Sequence, residues 1–403
     1  MRVLMVTLLV PDARAPSGGA VVLHGQLAAL LDRHEVTLAT LAGPDVGDQA
    51  MVDRLLAAGV EVHAAWQPAP VGAELWRRRL RAVHGLHPGG HPLRTLHFPV
   101  PKMQLLLDRL LTGRRFDMLQ VEDVAMGAYR FPGRAPCVLT EHEVRATRPA
   151  DAYDRWRSPA LQWAAEAADW RRWQRFQPAV WRRFDRVQVF TSRDAAAVGH
   201  LAPDIAARVR VNPFGVALPK AADPGLEELN HLLFVGGFRH PPNVDAALWL
   251  GHEVLPRLRA RCPGVRLTIV GDAPPPAVLA LAVGDTAVTG RVPAIEPFLE
   301  RAAVVLAPIR SGGGMRVKVL QGMAIGKAVV TTPLGAEGLE GGDQVPVVIG
   351  EDAEGLAVAT AALLADPVGR RLLGQRARTF VAEHYSWAAY GRRLEATYQE
   401  LVP

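Results

Sequence analysis

Ala307-Pro308-Ile309-Arg310-Ser311-Gly312-Gly313-Gly314-Met315-Arg316-Val317-Lys318-Val319-Leu320-Gln321-Gly322-Met323-Ala324-Ile325-Gly326 reads as the end of a buried strand, a glycine-rich loop and a helix. The strand stops at Pro308 and the helix covers Met315 to Ile325. Gly326 then stands where a left-handed residue commonly closes a helix. Glycines ahead of a helix let backbone N–H groups approach an anion, and the helix N-terminus favours negative charge. Spacing of i, i+4, i+7 puts Gly314, Lys318 and Gln321 on one face. Lysine is otherwise rare, with Lys102, Lys220 and Lys327 the only others. The same residues also suit a plain strand–helix turn with a solvated lysine, so the neighbouring segments decide between the two.

Outward from this loop the strand–helix unit recurs. Apolar runs at His231–Val235, Leu267–Val270, Val304–Ala307, Ala328–Thr332 and Val345–Ile349 read as strands, and Ala246–Leu255 as a helix stopped by Pro256. The first half has the same rhythm. Strands are expected at Val3–Val10, Glu35–Leu41, Glu61–Ala64, Met118–Val121, Cys137–Thr140, Arg186–Thr191 and Val209–Asn212. A helix carries Leu23, Leu27, Leu30 and Leu31 on one stripe. Strands alternating with helices predict parallel, doubly wound sheets. Pro213–Gly225 is the natural linker, which gives domains 1–215 and 225–385. Ser386–Leu401 reads as a closing helix with Trp387, Tyr390, Leu394, Tyr398 and Leu401 on one stripe.

Composition narrows the function. A chain of 403 residues, 49% hydrophobic and 21% charged, has room for two α/β domains. The net charge of +6 suits anionic partners such as nucleotide diphosphates or acidic lipid. The basic residues are dispersed and no recognition motif accompanies them, so no nucleic-acid partner is expected. Cys137 and Cys262 lie far apart, which is neither a disulfide framework nor a metal cluster and fits a reducing compartment. Val3–Val10 reads as a buried first strand rather than a signal peptide. No apolar run approaches the ~20 residues that span a bilayer, so the expected location is cytoplasmic or membrane-peripheral.

An ordered series of segments then carries a resemblance. It comprises Phe234-Val235-Gly236-Gly237-Phe238-Arg239-His240-Pro241-Pro242-Asn243, Val270-Gly271-Asp272, Val288-Thr289-Gly290-Arg291-Val292, the glycine loop, Gly326-Lys327-Ala328-Val329-Val330-Thr331-Thr332 and Gly335-Ala336-Glu337-Gly338-Leu339. This series resembles the C-terminal domain of the retaining family-4 glycosyltransferases. Gly18-Gly19, His142, Phe190-Thr191-Ser192-Arg193-Asp194 and Asn212-Pro213-Phe214-Gly215-Val216 give a weaker match in the first half. The resemblance implies an α/β fold of the GT-B type, with two Rossmann-like doubly wound parallel-sheet domains facing each other across a cleft and helix 386–403 returning to the first. It also implies a retaining transfer from a nucleotide-diphosphate sugar to a hydroxyl acceptor, with no other cofactor and no metal. A nucleotide-sugar epimerase and a catalytically silent paralogue that binds nucleotide or glycan are the rival readings.

The resemblance assigns roles by position. Donor binding falls to Gly236, Gly237, Arg239, Arg291, Val292, Ser311, Gly313, Gly314, Met315, Arg316, Lys318 and Gln321. His142 falls near the reaction centre. Gly18, Gly19 and Glu143 fall on the acceptor or phosphate side. The chain also departs from the pattern. Two carboxylates that similar enzymes place around the loop are Gly313 and Gln321 here, and a basic pair for the diphosphate falls at Gly237 and Asn243. Arg239 is the expected substitute, with Lys318 and Arg316 in reserve, because guanidinium binds phosphate bidentately.

Residues 153–184 carry Trp156, Trp163, Trp170, Trp173 and Trp181 among seven arginines. They read either as an aromatic stripe packed on the first domain or as an interfacial helix on anionic membrane. Arg77-Arg78-Arg79 and Arg81, near His84, His87 and His91, would extend the second reading.

Overall fold

The computed structural model describes residues 1–403 except 16–17, 45, 68–71, 73–75, 77–90, 94, 96–99, 147–159, 313–314, 342–343 and 403, and leaves out the side chains of 160–166. The described chain forms two compact units. One is Met1–Gly215 with Tyr390–Pro403, and the other is Val216–Ala389.

In the first unit β1 (Arg2–Thr7), β2 (Glu35–Ala42), β3 (Glu61–Trp66), β4 (Met118–Glu122), β5 (Cys137–Glu141), β6 (Arg186–Val189) and β7 (Val209–Val211) form one sheet in the order β3-β2-β1-β4-β5-β6-β7. Every described pairing is parallel. Val3, Leu4, Met5 and Val6 are fully buried, as expected where helices cover both faces of a parallel sheet. The helix Gly18–Leu31 buries Leu23, Leu27 and Leu30, whereas Leu31 is exposed and leaves the expected stripe.

The second unit repeats the design. Strands β8 (His231–Val235), β9 (Arg266–Val270), β10 (Thr286–Gly290), β11 (Val304–Ala307), β12 (Ala328–Thr331) and β13 (Val348–Ile349) run parallel in the order β10-β9-β8-β11-β12-β13. Expected strand ends at Val10, Thr191 and Val345 prove too generous. The expected stop at Pro256 is also corrected, because the helix Pro241–Trp249 continues through Leu250–Val254 into Leu255–Arg261. Leu250–Val254 is a wide π turn, closed by the Leu255 N–H on the Leu250 carbonyl. Pro256, which has no N–H to offer, follows directly and sits in the first turn of the next segment, where that lack is harmless.

The closing helix Trp387–Gln399 buries Tyr390, Leu394 and Tyr398. The Tyr398 hydroxyl donates to Gln120 Oε1 on β4 at 2.8 Å, and the Tyr390 hydroxyl accepts from Gln26 Nε2 at 3.1 Å. Arg186 and Arg210 both hold Glu400, whose carboxyl they draw down to about 2. Residues from Tyr390 onward are thus anchored on the first unit by polar as well as apolar contacts.

The helix Ala160–Trp181 bears on the tryptophan-rich segment. Trp173 and Trp181 are buried in the first unit's core, and the Trp170 indole donates to the Ala146 carbonyl at 3.0 Å. Those three side chains contact the first unit itself. Trp156 and the Trp163 side chain lie outside the described residues, as do Arg77-Arg78-Arg79, Arg81, His84 and His87. No described helix is long and apolar enough to cross a membrane.

Candidate active site

In the second unit the site residues gather where β8, β9 and β11 end, the edge at which parallel α/β sheets bind ligands. The backbone ties these ends together. Gly236 N–H donates to the Val270 carbonyl at 2.9 Å, Phe238 N–H to Asp272 at 2.9 Å and Gly271 N–H to Gly290 at 3.1 Å. A Cβ on Gly271 would stand 1.9 Å from the Gly236 carbonyl oxygen, so only glycine lets these loops approach.

The helix after the glycine loop is Val317–Ala324, shorter at both ends than the expected span. Arg316 is not its first helical residue, because its ψ of 70° lies outside the helical range. The Arg316 side chain is nearly buried, and its guanidinium donates to the Gly312 carbonyl at 2.9 Å and the Leu334 carbonyl at 3.1 Å. Glu337 stands 3.7 Å from the same group. Arg316 therefore braces the glycine loop against the turn after β12.

Lys318 sits in the first turn of this helix. Its ammonium donates to Asn243 Oδ1 at 2.5 Å and lies 6.0 Å from the Phe234 ring centroid. It has no carboxylate partner among the described residues. Burial, followed by the positive charge of Arg316, lowers Lys318 to about 8. Asn243 is itself buried, and its Nδ2 donates to the Gly237 carbonyl at 2.7 Å. The position at which similar enzymes keep a cation is thus an amide that holds a lysine from another element.

The other donor-side residues are more open. Arg239 is 82% exposed and pairs with Asp272 at 3.1 Å. Arg291 is exposed beyond β10, while Val292, Ser311, Met315 and Gln321 are half-buried. Gln321 makes no side-chain hydrogen bond with a described residue. Gly313 and Gly314 lie outside the described residues.

The first unit has its own concentration of ionisable groups, at the carboxyl ends of β4 and β5. Parallel pairing puts Glu122 opposite Thr140, two residues before His142. His142 Nε2 meets Glu122 Oε2 at 2.8 Å, and Glu122 Oε1 accepts from Gln120 Nε2 at 2.8 Å and Thr140 Oγ1 at 3.1 Å. Burial lowers the His142 pKa, but the hydrogen bond and charge of Glu122 outweigh it, so the net shift is upward. No described residue bonds His142 Nδ1. Asp123 next to this pair has φ of 79°, a region that non-glycine residues rarely adopt, and its carboxylate accepts from Ala125 N–H at 2.8 Å.

His142 opens on a cavity of ≈ 260 Å³, which Gly19, Glu122, Asp123, Glu143 and Trp173 also line. Glu143 pairs with Arg145, which lies 5.6 Å from the Trp173 ring centroid. Glu141, which also lines the cavity, accepts from Trp181 Nε1 at 2.7 Å and Gln177 Nε2 at 3.0 Å. Burial, reinforced by Asp123, still raises it to about 8. Gly18 is exposed at the start of its helix. Glu122 and Asp123 were not singled out from sequence. Their place at the site comes from the pairing of β4 with β5, which chain order alone does not give, since the sequential β3 and β4 lie apart in the same sheet.

Residues 230–366 match the family model for glycosyl transferases group 1. The match covers about a third of the chain and lies within the second unit. No curated protein matches its sequence. Solved structures share the fold of this chain at low identity. Sucrose-phosphate synthase from Thermosynechococcus elongatus superposes with a TM-score of 0.68 at 16% identity, covering 100% of this chain and 99% of that one. Anabaena HepE in complex with UDP and glucose gives 0.64 at 13% identity, with coverage of 98% and 99%. A glycosyltransferase from Rickettsia africae gives 0.63 at 13% identity, with coverage of 100% and 98%. The two doubly wound parallel sheets are those of the GT-B fold.

Proposed function

We propose that the chain is a retaining, metal-independent family-4 glycosyltransferase that takes a nucleotide-diphosphate sugar. The observation that carries this reading is Lys318, a half-buried ammonium that pairs with no carboxylate among the described residues, at the start of the helix that follows the glycine loop. A partly desolvated cation with no carboxylate beside it favours an anion, and a diphosphate supplies one. The nucleotide is assigned to the second unit, with Lys318 as the charge on the diphosphate and Arg316 as the brace of its loop. His142 is assigned to the donor sugar near the reacting carbon. In this retaining scheme the bond from the anomeric carbon to the diphosphate oxygen breaks as the acceptor oxygen bonds to the same face. The departing diphosphate takes the acceptor proton. The chain contributes positioning and stabilises the negative charge on the leaving group.

Inorganic pyrophosphate tests the diphosphate assignment without a choice of base. Lys318→Met is expected to weaken its binding by about tenfold or more, the scale of losing one charge-assisted hydrogen bond. Thermal shift and calorimetric titration read this directly, and unchanged affinity would remove the assignment. UDP-glucose is the first donor to try, because it is a ligand of the similar HepE structures. Turnover is expected to survive exhaustive chelation, whereas restoration only by magnesium or manganese would refute metal independence.

A further inference from the structure

The environment of Lys318 assigns a function to Asn243. We infer that Asn243 is a positioning residue for the diphosphate site, and that it works by holding Lys318 toward the bound anion while leaving its charge unneutralised. This rests on the diphosphate reading above and goes beyond it, because Asn243 itself need not touch the ligand.

The geometry supports it from both ends of the amide. Asn243 stands in the first turn of the helix Pro241–Trp249, where its own N–H donates to the His240 carbonyl at 3.0 Å. Its Nδ2 is occupied by the Gly237 carbonyl, and that bond fixes the amide so that Oδ1 faces Lys318. An amide cannot satisfy both partners if flipped, since its NH₂ would then meet an ammonium and its oxygen a carbonyl. Gly236 closes the arrangement, because a Cβ there would come within 3.0 Å of the Asn243 side chain. The glycine turn after β8 and the lysine after the glycine loop are therefore linked through one neutral side chain.

Neutrality is the point of the residue type. A lysine or arginine at 243 would bring a second cation against Lys318. An aspartate would keep the shape and give the ammonium a permanent counter-ion. Asparagine orients the lysine with one neutral acceptor and leaves its charge available. The charged groups near Lys318 agree with this. Arg316 lies toward the N-terminal end of the same helix, and Glu337 belongs to Arg316 rather than to Lys318. From β8 the Phe234 ring approaches, and it carries no charge.

The test uses the full chain and inorganic pyrophosphate, titrated from neutral pH to well above 8. In the unaltered protein, affinity is expected to fall as pH rises through about 8, where free Lys318 loses its proton. Asn243→Asp should weaken binding by about tenfold near neutrality, and should also move the alkaline fall to higher pH, because the new carboxylate holds the ammonium protonated. A merely structural role would lower melting temperature without moving that pH dependence. Asn243→Ala, which unties both partners, should lose affinity with no such carboxylate effect. If it does not fold, the near-isosteric Asn243→Asp carries the test alone. Wild-type affinity and pH dependence in Asn243→Asp would overturn the positioning role. If Lys318→Met weakens binding and Asn243→Asp does not, the diphosphate assignment stands and this inference falls. If Lys318→Met has no effect, the assignment fails first.

Discussion

Glu227→Ala is expected to destabilise the second unit by about 3–5 kcal/mol, the usual consequence of leaving buried charges without their partner. Glu227 Oε2 lies 3.2 Å from Lys327 Nζ, and Oε1 accepts from Arg370 at 2.5 Å. The two cationic side chains are 4% and 2% exposed and the carboxylate 10%. Arg370 also donates to the Leu363 carbonyl at 2.7 Å, so it cannot swing out to water without breaking that bond. Removing the carboxylate leaves two cations facing each other in a poorly solvated site. The melting transition of the second unit should then fall by roughly 10 °C, measured by calorimetry. Glu227→Gln should cost less, since one acceptor oxygen remains. The triad lies at the opposite edge of the sheet from the site, as Glu227 precedes β8 and Lys327 precedes β12. Pyrophosphate affinity well below the transition should therefore be unaltered. A loss below about 1 kcal/mol would show that the triad behaves like a solvent-screened surface pair.

The triad also shows what a linear reading misses. Lys327 and Arg370 lie 100 and 143 positions from Glu227, and no local pattern distinguishes a buried charge from a solvated one. Strands such as Val304–Ala307 were legible because a parallel strand covered on both faces is apolar at every position, and a short unbroken apolar run bounded by turn residues is written in consecutive residues. The glycine loop and the helix after it were legible for a related reason, since backbone freedom and a following apolar stripe are written in consecutive residues. Helix ends were less so. Arg316 was placed inside the helix, yet its side chain has carbonyls to satisfy on both sides, and its backbone stays outside helical geometry to reach them.

The assignment of a cation to the diphosphate shows the same limit. Arg239 stood in the expected turn, next to the glycines, but it is exposed and already paired with Asp272. Lys318 came from a different element and was ranked behind it. What separates the two is desolvation, a property of three-dimensional surroundings. The departure at Asn243 was visible in the sequence as a missing charge. That its amide holds the charge supplied from elsewhere was not, because the contact joins positions 75 residues apart.

His142→Ala is expected to lower the transfer rate by about 10²-fold, the scale of deleting one hydrogen-bond donor from a reaction centre, while pyrophosphate affinity stays the same. Glu122→Gln separates the histidine's charge from its mere presence. Burial alone would push the His142 pKa below the ordinary value of about 6.5, but the Glu122 carboxylate, 2.8 Å away, reverses the sign and the net shift is upward. An imidazole whose folded value is raised adds stability that is complete below its unfolded value and fades as pH rises through the folded one. The same window applies to activity if the imidazolium, with Nδ1–H free to donate, is the working form. The rate should then decline on the alkaline side as pH passes the raised value. In Glu122→Gln the opposing carboxylate is gone and burial remains, so the decline should move to lower pH. The glutamine keeps a carbonyl for the histidine, so the ring stays near its place. Donor hydrolysis provides the readout if no acceptor is at hand. An identical pH profile in both proteins, with His142→Ala still impaired, would mean that the neutral ring does the work and that Glu122 only orients it.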